Sequence, residues 1–273
     1  MQEIFKYRIR NFILLLLFVP LVVSFRCEKN ESRASDKNNS SFNADTSKIP
    51  AGLRHLLKAY PDFLEKADAN HLYWKDGTVM TYDDGREKTY DEKLDDPDLE
   101  DMMSQTYTAG HDWDEPPAEN FEPGRVRYEP FFAKMYGASK SEVMGNLVSI
   151  TWNPSGEKLQ VNSVNDVSKK LKNVAEELLN LEDKYLKYVK KTAGTFNYRK
   201  IAGTNRMSTH SYGIAIDINT AYSDYWQWDN SMTYKNKIPM AVVEVFEKHG
   251  FIWGGKWYHY DTMHFEYRPE LLN

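Results

Sequence analysis

The pattern of apolar and polar positions changes its period several times along the chain, and each change marks an element. Lys6, Arg8 and Arg10 precede an unbroken apolar run from Phe12 to Val23. A basic flank before a short apolar run is the layout of a secretory signal, and the run is short of the ~20 residues that a membrane span needs. Val22 and Ser24 are the small residues a cleavage would use, and an uncleaved anchor stays open as a reading. Cys27 adds a lipoprotein signal as an alternative, although Phe25 and Arg26 are poor substitutes for the small residues such a signal wants. Residues 1–27 are therefore read as a signal peptide or lipoprotein signal. Residues 28–48 are polar and rich in Ser and Asn, too poor in apolar groups to order themselves, and are read as a disordered tether. A folded domain is expected from 49 to 273, without internal repeats.

Within that domain the segment GLRHLLKAYPDFL (Gly52 to Leu64) predicts a short helix broken near Pro61. His71 to Tyr82 mixes aromatic and β-branched residues around an Asp-Gly turn and predicts a hairpin. The acidic stretch that follows, through Asp114, Pro116 and Pro117, reads as loop and leads past Arg125, Arg127 and Pro130 into the aromatic run Phe131 to Tyr136. Val167, Leu171, Val174, Leu178, Leu181 and Tyr185 recur every three or four positions, which predicts one long helix from about Asp166 to Lys190, capped by Asn165, with one buried stripe. A second helix is expected from Pro239 to Gly250, followed by strand, Gly turn and strand from Phe251 onward.

Composition and charge narrow the class. Apolar residues at 41% and aromatic residues at 14% suit a globular chain. The first 27 residues carry a net +3 (Lys6, Arg8, Arg10 and Arg26 against Glu3), which leaves −8 for the rest of a chain whose total is −5. An acidic body repels phosphate backbones, so no nucleic-acid partner is expected. With Cys27 as the single cysteine, no intrachain disulfide can form. The zinc-peptidase signature HExxH, a phosphate-binding Gly-rich loop and a GxSxG nucleophile elbow are all absent.

Two segments carry candidate chemistry. In Ser208 to Asn219, Ile214, Ile216 and Ile218 alternate with Ala215, Asp217 and Asn219, the period of a strand with its isoleucines facing the core and Asp217 the other side. His210 precedes this strand on a loop that Gly213 lets bend tightly. In Trp253 to Tyr267, a strand from Thr262 onward puts Thr262, His264 and Glu266 on one face, with Asp261 at its entry. Two histidines and one carboxylate make a three-ligand zinc set with a fourth position left to water. Asp261 suits the base that takes that water's proton, and Glu266 suits a group that orients an imidazole. The remaining histidines, His55, His71, His111, His249 and His259, read as surface or structural, with His259 the one close enough to Asp261 to reach substrate. Trp226 and Trp228 are candidates for stacking on a sugar, with rim or core packing as the plainer reading.

The pattern SxHxxGxAxD from Ser208 to Asp217, followed by WGGxW from Trp253 to Trp257 and DxxHFE from Asp261 to Glu266, closely resembles the D-alanyl-D-alanine carboxypeptidase and L-alanyl-D-glutamate endopeptidase family of zinc peptidases. The likeness spans roughly Tyr198 to Tyr267, and the segment before it corresponds only loosely. It implies His210, Asp217 and His264 as zinc ligands, Asp261 as general base, and an α+β fold whose small antiparallel sheet carries the site with helices packed on one face. The catalytic core would then run from about 160 to 273, behind an N-terminal extension that shapes the pocket. Family members hold the substrate carboxylate or the oxyanion with an arginine in a Tyr-Arg context, which Tyr198-Arg199 matches and for which Arg206 is the competitor. The implied activity is zinc-dependent hydrolysis of peptidoglycan stem peptides by an exported, periplasmic or envelope-associated enzyme, tethered to the membrane if the N-terminal segment is kept or Cys27 is lipidated. Two other readings stay open: a peptidoglycan-binding module that keeps zinc without catalysis, and a zinc hydrolase of some other amide. Which bond would be cut is not fixed by the motifs.

Overall fold

The computed structural model describes residues 48–228 and 232–272. The expected signal, the tether up to residue 47 and Cys27 lie outside the described residues. Among the described residues, no helix is long and apolar enough to cross a membrane.

The first element, α1 (Ala51–Ala59), stops at Tyr60, just ahead of Pro61. Leu64, expected to end this helix, instead opens β1 (Leu64–Ala67), because a proline cannot continue the helical hydrogen bonds and the chain leaves extended. β1 pairs with the expected hairpin, β2 (His71–Trp74) and β3 (Val79–Thr81), in an antiparallel sheet of order β1-β2-β3. The acidic stretch expected to be loop holds two short helices, α2 (Tyr90–Asp95) and α3 (Leu99–Met102). Each is started by a reciprocal cap, Thr89 with Glu92 and Asp98 with Asp101, a device that needs no apolar period and so leaves no stripe in the sequence.

After α4 (Glu129–Tyr136) and α5 (Lys140–Gly145) comes a second hairpin, β4 (Leu147–Trp152) with β5 (Glu157–Asn162). The expected long helix is two helices, α6 (Val167–Glu177) and α7 (Asp183–Val189). Leu178–Asn180 tightens into a 3₁₀ turn and Leu181 is extended, so the stripe is fully buried only through Leu178. An acidic residue at the start of α7 suits a new helix N-terminus there. Asn165 does not cap α6: it has φ 57°, and its amide donates to the Tyr136 hydroxyl.

The third sheet positions the site. β6 (Ala215–Asp217), β7 (Phe251–Trp253) and β8 (His264–Tyr267) pair antiparallel in the order β6-β8-β7. Thr262 precedes β8 rather than joining it; its hydroxyl bonds both the N–H and the carbonyl of Asp224. Ile216 lies opposite Phe265, and Phe265 stacks on Phe246 of α8 (Met240–Lys248) with centroids 3.9 Å apart. One face of the sheet is therefore sealed by a helix. Trp152 of β4 also packs on Phe246, which joins the second hairpin to the same core. The result is an α+β fold with small antiparallel sheets, as the resemblance implies, and residues 48–272 fall within one compact unit.

Candidate metal centre

On the other face of the third sheet, register does the work that a sequence pattern can only suggest. Asp217 sits directly opposite His264, so their side chains emerge side by side. His210 reaches them from a 3₁₀ turn, Thr209–Tyr212, that ends on Gly213 with φ 67°. The positive φ demands glycine at 213, and a Cβ there would also displace the Leu147 methyl, 2.7 Å away.

The three donor atoms converge. His264 Nδ1 lies 3.0 Å from Asp217 Oδ1, and His210 Nε2 lies 3.2 Å from Asp217 Oδ1 and 3.2 Å from His264 Nδ1. Tetrahedral ligands each about 2.05 Å from a shared zinc stand about 3.3 Å apart, so the set fits such an ion with little adjustment. The far nitrogens are also fixed. His210 Nδ1 meets the Thr195 carbonyl at 2.6 Å, and His264 Nε2 meets Glu266 Oε2 at 3.1 Å. With protons on those nitrogens, the inward nitrogens present lone pairs to a metal.

Glu266 is in turn held in place. Arg127 Nη2 donates to Oε2 at 2.9 Å, Thr209 Oγ1 donates to the same oxygen at 2.9 Å, and Arg268 Nη1 donates to Oε1 at 3.1 Å. Arg268 also bonds Glu270, whose other oxygen accepts from the Tyr60 hydroxyl at 2.6 Å. A buried chain of polar groups thus runs from the end of α1 to the back of His264. Burial opposes the Glu266 charge, but Arg127 foremost holds its carboxyl well below the usual range. For Asp217, burial is likewise outweighed by the charges and hydrogen bonds of His210 and His264, and its carboxyl is held low. Burial presses the His264 cation down, yet its bonds to Asp217 and Glu266 raise it to about 10.

Asp261 behaves in the opposite sense. Burial and the negative charge of Asp217 push it up to about 6, and its Oδ1 is shielded from solvent without a hydrogen-bond partner. Its backbone N–H bonds the Gly254 carbonyl at 2.9 Å, and a Cβ on Gly254 would stand 2.6 Å from the Asp261 carbonyl. The first glycine of WGG therefore lets the chain carrying Asp261 close in on the sheet.

Arg199 is exposed. Its backbone is pinned to Ser211, the neighbour of His210, by an N–H donated to Oγ at 2.8 Å and a hydroxyl donated back to its carbonyl at 2.7 Å. Its charge acts on Tyr225, which is bridged to Asp261. Arg206 is half-buried, with Nε 3.6 Å from Asp95. His259 stays outside the donor set, its N–H and Nδ1 both held by Glu122. His71, His111 and His249 pair with Asp68, Glu244 and Glu177, away from the donor set. Trp226 packs against His259 at 4.5 Å between centroids, while Trp228 is largely exposed.

Sequence reasoning passed over Thr195, Thr209, Arg127 and Arg268 as members of this site. Thr195 acts through its backbone carbonyl, which no side-chain pattern records. Arg127 lies 139 positions from its partner, so no local spacing could have shown the pair.

No curated protein and no solved structure matches the chain at a significant level. The family model described as D-alanyl-D-alanine carboxypeptidase matches residues 202–267. That span contains His210, Asp217, Asp261 and His264 and begins three residues after Arg199. The converging donors and the family match fall on one segment: over residues 202–267 this chain carries the peptidase pattern of the D-alanyl-D-alanine carboxypeptidase family.

Proposed function

We propose that this protein is a zinc-dependent peptidase that hydrolyses the stem peptides of peptidoglycan, as a D-Ala-D-Ala carboxypeptidase or an L-Ala-D-Glu endopeptidase. One observation carries the reading: three donors of a catalytic zinc type stand 3.0–3.2 Å apart beside a shielded carboxylate oxygen that has no other partner. His210, Asp217 and His264 would hold the metal, and Asp217 is the most open of the three. A bound zinc supplies the positive charge that polarises the scissile carbonyl and acidifies the attacking water. Asp261 accepts the proton from that water and returns it to the leaving amine, a role that a carboxyl raised to about 6 suits near neutral pH. Arg199, pinned behind His210 with its guanidinium in solvent, steadies the substrate.

The N-terminal signal and the family likeness together support an exported protein acting in the periplasm or on the envelope. Domain limits follow the same reading: a signal at 1–27, a tether at 28–48, and the peptidase domain from 49 to 273 with its catalytic core from about 160.

The test is mass spectrometry of a purified disaccharide-pentapeptide incubated with the full chain, with zinc and with chelator. Chelator-sensitive loss of one D-Ala is expected of a carboxypeptidase, and scission after L-Ala of an endopeptidase. Intact substrate in the presence of stoichiometric bound zinc would overturn the catalytic reading in favour of a binding module.

A further inference from the structure

A cavity of about 510 Å³ opens between the stretch 107–123 and Lys256, a volume that takes a small organic group. Neither the metal donors nor Asp261 line it. Part of its wall is aromatic. Trp113 is half-buried, packed edge-on against Trp253 with 6.3 Å between centroids, and Phe121 is 39% exposed. This wall belongs to the segment upstream of the matched motifs, and the metal centre makes no use of it.

The charges around the cavity do not cancel. Lys256 Nζ donates to the carbonyls of Thr108 and Gly110 at 2.8 and 2.9 Å and to Glu247 Oε1 at 2.6 Å, which uses all three of its hydrogens. It also rests over the Tyr107 and Trp113 rings, 4.8 and 5.7 Å from their centroids. Glu247 accepts in addition from the Tyr107 hydroxyl and the Gly110 N–H, so the pair is closed on itself. His111, at the rim, stands 3.1 Å from Glu244. What is left over is acid. Asp112 and Asp114 flank Trp113 in the chain and line the cavity with it, both exposed, and among the described residues neither has an ion pair. An anion entering here would meet two carboxylates and a lysine with no hydrogen to give. An ammonium on a carbon skeleton would find acceptors for its protons and aromatic rings that attract its charge.

The cavity wall is also tied to the chain that carries Asp261. The Phe121 carbonyl accepts from the Tyr258 N–H at 3.0 Å, the Glu122 carboxylate from the His259 N–H at 2.6 Å, and the Pro123 carbonyl from the Trp257 indole at 2.7 Å. Three consecutive residues thus hold three others just ahead of Asp261, and Phe121 and Pro123 line the cavity as they do so. We propose that this cavity is a second substrate site, which takes an ammonium group between Asp112, Asp114 and the rings of Trp113 and Phe121. This rests on the peptidase reading, which supplies the peptide; the cavity adds its charge, a diamino residue whose side-chain amine is free.

The test is titration calorimetry on the zinc-loaded full chain carrying Asp261→Asn, so that no peptide is consumed. The ligands are a lysine-containing stem peptide and the same peptide acetylated at the lysine Nζ. The free amine is expected to bind about fivefold more tightly. Adding Asp112→Asn and Asp114→Asn, both at exposed positions, should bring the two peptides within about twofold of each other. That result would also separate these carboxylates from the metal as the amine's partner. Equal binding of the two peptides before those changes, or a preference that survives them, overturns the second site and leaves the peptidase reading to be judged on hydrolysis by wild type. A preference lost with the two aspartates, while wild type hydrolyses neither peptide, supports the site as the peptidase reading falls.

Discussion

Asp261 holds one carboxylate oxygen away from solvent without a hydrogen-bond partner, close to the negative charge of Asp217. Such a group weakens the fold and is retained where it has chemistry to perform. Replacing it with Asn should leave metal content unchanged and lower turnover by about 10²–10⁴-fold, read by metal analysis and stem-peptide hydrolysis on one preparation. Activity within tenfold of wild type would remove Asp261 from the base role. Glu266 answers two buried guanidiniums, and Glu266→Gln should cost about 3 kcal/mol in denaturant unfolding, because Arg127 and Arg268 would keep their charge and lose their anion. A loss below about 1 kcal/mol would show that those cations find other acceptors. At this scale the sequence was most readable where chemistry and spacing coincide, at His210, Asp217 and His264, which the structure brings together. It was least readable where a residue acts through a distant partner, as Arg127 and Arg268 do.

Among the elements, those with a clean period were legible. The alternation around Ile216 foretold β6 and its core face, and the Asp-Gly turn foretold β2 and β3. What the period of α6 could not show was its end, since a 3₁₀ turn keeps the spacing of side chains close to that of a helix. The hairpin β4–β5 had a turn signal in Asn153 to Gly156 but only a ragged alternation, with Val148 and Ser149 both exposed. The turn before β6 carries the most specific demand of any element at the site. Gly213→Ala would force a left-handed backbone on an L residue and press its Cβ on Leu147, for a loss of about 1–2 kcal/mol. Because His210 rides on that turn, metal affinity should fall with stability, measured by zinc titration beside thermal unfolding. A variant with normal affinity would mean that the turn and the donor set are mechanically independent.

For the molecule as a whole, the donors tie a loop and two strands of the third sheet to one point, so bound metal should stabilise the native state alone. At zinc a thousandfold above its Kd the gain is about 4 kcal/mol. For a unit of this size that corresponds to a chelator-induced fall in Tm of about 10 °C. A Tm indifferent to chelator would deny a tight site. Glu122 is one of the groups on which acid stability should depend. Burial opposes its charge, but His259, Arg125 and Tyr90 bring its pKa from 4.5 down to about 2. A depressed carboxylate stabilises the fold above its unfolded value and loses that contribution as pH falls from 4.5 through 2, about 3 kcal/mol in all. Glu122→Gln should make the pH dependence of unfolding shallower across that window, and an unchanged slope would assign acid sensitivity wholly to the other depressed carboxyls. Tyr60, Gly124, Arg127 and Glu270 all lie outside residues 202–267, yet they form the buried chain that backs Glu266 and, through it, His264. The recognisable motif is therefore not portable: grafted elsewhere without those remote supports, it would keep Asp217 opposite His264 but leave Glu266, and through it the His264 ring, unbraced.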